Sequence, residues 1–173
     1  MKHMHKAELD GQWSSLRGTV RLSRTIIGKK ATLRTTSMLQ IETLHHVSLP
    51  VTDLARAKWF YTNVLELEEI ERPAFDFAGA WYRVGDRHLH LIVGEHLTLR
   101  GDKGIDSRDG HFAIRVRSYR GALQHLAAKG YGADAADEIR RLRTNPAGKA
   151  GFPQIYVLDP DRNVVEINAE RLD

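Results

Sequence analysis

The sequence predicts an α+β fold in which two βαβββ modules curl into a half-barrel. The same order of elements, a strand, an amphipathic helix and three strands, occurs twice, over residues 44–94 and 111–168. The first and last strands of each copy carry apolar residues on one face, which can pack under a helix. Each of these four strands places a histidine or a glutamate on its opposite face.

The first module opens with a strand over residues 44–51, which is rich in apolar and β-branched residues. Asp53 then provides an N-cap, because its carboxylate can accept from free N–H groups of a first helical turn. Apolar residues at helical spacing predict a helix over 54–65. Three strands are predicted to follow, at 66–71, 79–84 and 87–93, with a Gly-Asp hairpin turn between the last two.

The second module repeats this order. A strand at 111–117 precedes a helix that Ser118 caps and Gly130 ends. We predict a short strand at 138–142. The last two strands, at 152–158 and 163–168, flank the turn sequence Asp-Pro-Asp.

Composition limits the class of protein and the kind of site. The 173 residues suit one domain, and 42% hydrophobic with 28% charged residues is typical of a globular chain. No apolar run approaches the roughly 18 residues of a membrane span, so we expect no membrane partner. The chain has no cysteine, which excludes disulfides and thiolate metal sites and fits a cytoplasmic protein.

Basic residues concentrate at the start of the chain. In residues 1–37, lysine and arginine far outnumber Glu8 and Asp10. Such a stretch can bind nucleic acid or an anionic membrane surface, but a solvated extension without stable structure is the commoner case. We predict a disordered basic extension over 1–37 and a folded domain over 38–173, with no nucleic-acid partner.

Four side chains form the candidate metal site. His46 and His111 lie at the start of the first strand of each module, and His90 and Glu166 lie midway along the last strand. Three imidazoles and a carboxylate suit zinc, nickel, cobalt, manganese or iron(II). Glu166 is also the candidate general base. The alternative is that single strand histidines serve structural roles, and His88 competes with His90 on the same face.

Further residues are candidates for substrate contact. Arg115 shares the face of His111 and could receive an anionic group, although a solvated arginine is as common. Trp81 and Tyr82 are candidates for pocket walls, with packing in the core as the alternative.

Several segments together resemble the vicinal oxygen chelate superfamily, which includes glyoxalase I, fosfomycin resistance proteins, bleomycin-binding proteins and extradiol dioxygenases. The segments are LHHVSLPVTDL (44–54), WFY (59–61), VL (64–65), LHLI (89–92), GHFAI (110–114) and YVLDPDRNVVEIN (156–168). The resemblance implies the glyoxalase-type fold, an open cup-like half-barrel around one divalent metal ion. It also implies a homodimer, since members exchange modules between subunits.

The resemblance assigns metal-ligand positions one by one. His46 matches the first-strand ligand, His111 the ligand that opens the second module, and Glu166 the carboxylate of the final strand. His90 matches a position where glyoxalase I places a carboxylate and where other branches have no ligand. Arg162 departs from the pattern, because a glycine usually follows the Asp-Pro-Asp turn, and it requires a different backbone or a positive φ.

Three functions remain open at this point. The first is a metal-dependent enzyme that acts on a small oxygenated substrate by Lewis-acid chemistry, as a lyase or isomerase or as a ring-opening transferase. The second is a non-haem iron dioxygenase that uses the trio His46, His111 and Glu166. The third is a non-enzymatic protein that binds an antibiotic, although such binders generally lack the metal ligands.

Overall fold

A computed structural model describes residues 41–94 and 100–173, of which Glu42–Asp173 form a single unit. The predicted basic extension over 1–37 lies outside the described residues. Neither helix in the described part of the chain has the length and apolar composition needed to cross a membrane.

The first module folds into a four-stranded sheet covered by one helix. Its elements are β1 (His46–Val51), α1 (Leu54–Trp59), β2 (Glu68–Ile70), β3 (Gly79–Val84) and β4 (Arg87–Val93). The strand order is β1-β4-β3-β2, with β1 parallel to β4 and the other pairs antiparallel. Asp53 caps α1 as predicted, and its Oδ1 accepts from the Arg56 N–H at 3.0 Å.

The second module repeats that topology. Its elements are β5 (His111–Val116), α2 (Tyr119–Ala128), β6 (Arg143–Asn145), β7 (Gln154–Leu158) and β8 (Val164–Ala169). The order is β5-β8-β7-β6, and β5 runs parallel to β8. The predicted α+β fold with two βαβββ modules is therefore confirmed.

Two predicted elements differ from the structure. The helix over 54–65 changes to π-helical geometry at Phe60–Val64, and Glu66, with φ of 53°, ends it, so the next strand starts only at Glu68. The strand predicted at 138–142 is wrong. Glu138–Arg140 form a 3₁₀ turn, because Asp137 accepts from the Ile139 N–H and stabilises a turn locally.

One apolar core joins both modules. The inward faces of the two sheets meet the helices there, and the largest fully buried side chains include Phe60, Tyr61, Tyr82, Leu89, Leu126 and Ile155. The four predicted metal ligands lie on the two opposite sheet faces, where His46 and His111 are exposed and His90 and Glu166 are buried. We call these faces the open face of module one, which carries His46, Trp81 and His90, and the open face of module two, which carries His111 and Glu166.

The turn between β7 and β8 fastens module two to module one. The buried carboxylate of Asp159 accepts from the Tyr61 hydroxyl at 2.8 Å, and Asp161 accepts from the Thr52 N–H at 3.1 Å. Asn163 donates from Nδ2 to the Pro50 carbonyl at 3.1 Å. The two modules are thus joined by specific polar contacts as well as by the core.

Candidate metal centre

The strand alternation predicted from the sequence is present in the structure. Along β1, His46 and Ser48 are exposed, whereas the residues between them turn toward the core. Along β5, His111 and Arg115 are exposed, and Phe112 and its alternates are half-buried. The first strand of each module therefore presents its histidine on the open face.

His111 and Glu166 form an oriented pair on module two. His111 Nε2 lies 3.5 Å from Glu166 Oε2. The other ring nitrogen, Nδ1, lies 2.7 Å from the Asp109 carbonyl, which can only accept, so Nδ1 carries the proton. Nε2 then directs its lone pair at the carboxylate, and a cation between the two atoms, either a proton or a metal ion, is needed to make this contact favourable.

The spacing of this pair suits a shared metal ion. Two ligands of a tetrahedral ion, each at about 2.1 Å, lie about 3.4 Å apart. A histidine whose second nitrogen donates to a backbone carbonyl is the usual arrangement of a metal-bound imidazole. Both the distance and the tautomer of His111 therefore fit a metal.

Glu166 is held in place from two sides. Its side chain is buried, with the residue 4% exposed, and it accepts from Gln154 Nε2 at 2.9 Å and from Asn168 Nδ2 at 2.7 Å. Burial and the adjacent Glu166 carboxylate raise the pKa of Tyr156 to about 12, so the phenol stays protonated. These contacts fix both carboxylate oxygens on the open face.

The Asp109 carbonyl that orients His111 is itself anchored. Arg100 donates from Nη2 to the Asp109 carboxylate at 2.8 Å and to the Gly104 carbonyl at 2.8 Å. The Arg100 guanidinium lowers the pKa of Asp109 and keeps it ionised. The segment before β5 is thereby tied down next to the histidine that it positions.

His46 and His90 form the second pair, on module one. Their rings stack with centroids 4.3 Å apart, and Trp81 stacks on the other face of His90 at 4.1 Å. His90 Nε2 is buried and has no hydrogen-bond partner among residues 41–94 and 100–173. Burial, followed by the nearby His46, lowers the pKa of His90 to about 4. A neutral imidazole with an unused, buried nitrogen has the chemistry of a metal ligand.

The structure brings the four predicted ligands together as two pairs. Across residues 41–94 and 100–173, no group of three or more His, Asp or Glu side chains is close enough to hold a metal ion. Within the described part of one chain, the four predicted ligands therefore do not converge on a single point. Each open face carries half of the donor set, and the apolar core occupies the opposite faces.

The predicted substrate contacts are divided between site and core. Trp81 lies against His90, as the open face requires. Arg115 is exposed on the same face of β5 as His111, four residues further along, with its guanidinium carbon 4.9 Å from the Phe152 ring centre. Tyr82 is fully buried and its hydroxyl contacts Thr62 at 3.3 Å, so its candidacy as a pocket wall is wrong and the core alternative holds.

Other histidines have roles outside the pairs. His88 lies on β4 with its ring 6.1 Å from that of His90, so the structure leaves it at the edge of the site. His125 contacts the Val64 carbonyl through Nε2 at 2.8 Å, which is a structural role. His45 contacts Nδ1 of His46 at 2.9 Å, which leaves His46 Nε2 available.

Residues that support the site were not found from the sequence. Gln154, Asp109 and Arg100 were not singled out, because their contacts depend on strand register and loop path. Gln154 reaches Glu166 only through the antiparallel pairing of β7 with β8. The available signal in the sequence was Gln154, a polar residue at the start of the apolar strand β7.

Known proteins share this fold at the level of the family. The model of the Glyoxalase/Bleomycin resistance protein/Dioxygenase superfamily matches residues 43–167. The chain belongs to this superfamily. This confirms the resemblance seen in the sequence, although the branch within the superfamily is not determined. A search of curated proteins finds no match to the chain.

Solved structures with the same fold come from several bacteria. A glyoxalase family protein from Bacillus anthracis has a TM-score of 0.62 at 20% identity, over 77% of this chain and 98% of the other. FosX, a fosfomycin resistance protein from Listeria monocytogenes, was solved as a variant with Mn(II) and a dihydroxypropylphosphonic acid. FosX has a TM-score of 0.56 at 19% identity, over 77% of this chain and 95% of the other.

Lactoylglutathione lyase from Agrobacterium tumefaciens gives a TM-score of 0.54 at 17% identity, over 75% of this chain and 94% of the other. At these identities, the likeness to all three structures establishes the fold alone.

Proposed function

We propose that this chain is a divalent-metal-dependent enzyme of glyoxalase type that acts on a small oxygenated substrate, as a lyase or isomerase or as a ring-opening transferase. The observation that carries the proposal is the His111–Glu166 pair, 3.5 Å apart, with the imidazole oriented by a carbonyl and the carboxylate held by two amides. The metal ligands are His46, His90, His111 and Glu166. The buried Nε2 of His90, which no described residue contacts by a hydrogen bond, supports the same assignment.

We infer that the complete site forms between two copies of the chain. Each pair supplies two donors, whereas catalytic zinc sites use three protein ligands and an open position. A second copy can place its open face of module two against the open face of module one. The superfamily resemblance, in which subunits exchange modules, supports a homodimer with two such sites.

Each side chain then has a separate task. A bound divalent metal would supply Lewis-acid polarisation of a substrate oxygen. Glu166 completes the donor set and is the candidate proton acceptor, because its two amide partners orient the carboxylate. Arg115, exposed on the same strand face as His111, is the candidate to bind an anionic substrate group. Trp81 forms a wall behind His90.

A non-haem iron dioxygenase is the second candidate. His46, His111 and Glu166 make a set of two histidines and one carboxylate, which leaves positions open for oxygen on iron(II). His90 speaks against it, because its free nitrogen next to His46 would occupy one of those positions. A metal-free binding protein is the third candidate, and the oriented His111–Glu166 pair argues against it.

Metal content tests the proposal directly. We expect close to one equivalent of zinc, nickel, cobalt, manganese or iron per chain by plasma mass spectrometry, and its loss in His111→Ala and Glu166→Gln. His88→Ala is the matched control, because His88 shares a strand and a face with His90. The His88→Ala protein should keep the metal. Equal metal in the wild type and both ligand variants would refute the site, and metal lost in His88→Ala would exchange the roles of His88 and His90.

A mixing experiment tests the site between subunits. His46→Ala and His111→Ala proteins are each expected to lack metal. After subunit exchange, each mixed dimer holds one intact site, so about a quarter of the wild-type metal content should return. If each site lay within one chain, mixing would restore none.

A further inference from the structure

The segment between β2 and β3 presents two phenylalanines to solvent next to the candidate metal centre. Phe75 is 46% exposed and Phe77 is 40% exposed. Their rings stack with centroids 5.1 Å apart and an interplanar angle of 29°. Single exposed apolar residues are ordinary on protein surfaces, but two that stack on one short segment form a local apolar surface.

Arg72 holds this segment in shape. Its guanidinium carbon lies 4.5 Å from the Phe75 ring centre and 5.0 Å from that of Phe77, and Nη2 donates to the Phe77 carbonyl at 2.8 Å. Gly79 makes room for it, because a Cβ there would come within 3.3 Å of Arg72 Nε and would collide with the Leu91 carbonyl. The two rings are therefore fixed before any ligand arrives, which lowers the entropy cost of binding.

A continuous line of rings connects the segment with the candidate ligand His90. The Phe75 ring centre lies 6.1 Å from that of Trp81, which stacks on His90 at 4.1 Å with an angle of only 7°. We call Phe75, Phe77 and Trp81 the aromatic wall. An apolar group that contacts this wall would lie beside whatever His90 binds.

We propose that the aromatic wall binds a flat apolar group, an aryl ring, of a substrate whose oxygens reach the His90 side of the metal centre. This inference rests on the proposed function and adds a substrate class to it. Stacked, immobilised aromatic side chains that end at a ligand nitrogen match a ring attached to a pair of chelating oxygens. Aromatic contacts of this kind favour offset or edge-to-face packing of a further ring.

The test compares two chelators that differ only in the group next to their oxygens. Benzohydroxamate and acetohydroxamate both bind a divalent ion through two adjacent oxygens, and only the first carries an aryl ring. Calorimetric titration uses the metal-loaded wild type and a Phe75→Ala, Phe77→Ala double variant. Trp59→Ala is the control, because Trp59 is 49% exposed in the same module and lies outside the wall.

We expect the wild type and the Trp59 control to prefer benzohydroxamate by roughly tenfold, and the double variant to lose most of that preference while acetohydroxamate affinity stays the same. An unchanged preference in the double variant would overturn the inference. So would a double variant that loses the dimer on sedimentation and its metal with it, because this would assign the phenylalanines to a subunit contact.

Metal content, measured on the same samples, separates this inference from the proposed function. Wild-type protein that takes up no metal and binds neither hydroxamate would overturn the metal site and the aryl subsite together. Wild-type protein that holds metal and binds both compounds equally would overturn the aryl subsite alone.

Discussion

Two neutral amides hold the Glu166 carboxylate on the open face of module two. Gln154 and Asn168 each donate to a different oxygen, so the carboxylate cannot rotate away from His111 without losing a hydrogen bond. Outer partners of metal ligands set the orientation of the ligand and its affinity for the ion. We therefore treat Gln154 as a positioning residue for Glu166.

Replacing Gln154 with alanine should weaken metal binding. We expect a loss of roughly 10- to 100-fold in affinity, measured by competition with a fluorescent chelator, at an unchanged metal stoichiometry under saturation. Asn145→Ala is the control, because Asn145 contacts Gln154 at 3.2 Å without reaching Glu166. A Gln154 variant with wild-type affinity would contradict the positioning role.

At the residue scale, the sequence predicted the direction of side chains better than their partners. Alternation along a strand places His46, His90, His111 and Glu166 on the open faces, because side-chain direction has a period of two. The partners of Glu166 depend on which strands pair and in what register, and hydrophobic pattern does not specify this for single polar residues. Whether the four side chains bind a metal stays a prediction.

At the element scale, the turn between β7 and β8 combines backbone strain with side-chain anchoring. Arg162 has φ of 65°, in the left-handed region that favours glycine. Its guanidinium donates to the Asp102 and Lys103 carbonyls at 3.2 and 3.3 Å. Of the two alternatives predicted for the missing glycine, a different backbone or a positive φ, the positive φ is present. The arginine side chain offsets its cost through these two hydrogen bonds.

Two substitutions at this position separate strain from anchoring. Arg162→Ala and Arg162→Gly both remove the guanidinium contacts, but only the glycine relieves the left-handed backbone. We expect the glycine variant to be more stable than the alanine variant by about 1 kcal/mol in urea unfolding. Equal stability of the two variants would contradict this expectation, because any backbone strain would then be no larger than the extra unfolded-state entropy of glycine.

Strands with regular alternation were predicted well, whereas turns that single side chains stabilise were not. The strands over 79–84 and 87–93 have the predicted bounds, because a tight turn and β-branched residues determine them together. The 3₁₀ turn at Glu138–Arg140 replaced a predicted strand, since the Asp137 side chain stabilises a turn that apolar content does not reveal. The π-helical turn at Phe60–Val64 has no signature in spacing.

At the scale of the whole molecule, Asp159 connects the two modules from within the core. The carboxylate is fully buried and accepts from Tyr61, from Asn163 Nδ2 and from two backbone N–H groups. Burial raises the pKa of Asp159, while the Tyr61 and Asn163 donors lower it. The buried Asp159 carboxylate therefore needs all four of these hydrogen bonds to offset the cost of its burial.

Removing the Tyr61 hydroxyl should weaken this junction. Tyr61→Phe leaves a buried carboxylate one donor short, and we expect a loss of about 1–3 kcal/mol in the free energy of unfolding at pH 7. Tyr82→Phe is the matched control, since the Tyr82 hydroxyl contacts only the Thr62 side chain at 3.3 Å in the described structure. An equal loss of stability in both variants would contradict a specific contribution of the Tyr61–Asp159 hydrogen bond.

The loss should depend on pH. With a folded-state pKa raised above the unfolded value, Asp159 contributes stability that is present at low pH and is lost as pH rises through the folded pKa. Tyr61→Phe removes a donor to the ionised form, so the free energy of unfolding that is lost as pH rises is larger in the variant. The difference between variant and wild type should therefore shrink as pH is lowered toward about 4, in unfolding curves taken across this range.

The division of the donor set into two pairs could not be predicted from the sequence. A repeat shows that two modules share a plan, but it does not show whether their open faces meet each other or those of a second copy. The apolar residues at 54–65 and 119–128 pack both modules into one core. This packing leaves one pair of donors on each module.

The junction at Asp159 also dictates an order of events during protein synthesis. Its partners in module one precede it by about a hundred residues, with sequence separations of 98 for Tyr61 and 109 for Thr52 with Asp161. A nascent chain on the ribosome can assemble the first sheet early, but its docking groups stay unsatisfied until the turn at 159–163 leaves the exit tunnel. Closing contacts across such a span is slow, so module one is expected to leave these groups exposed to water until the turn emerges.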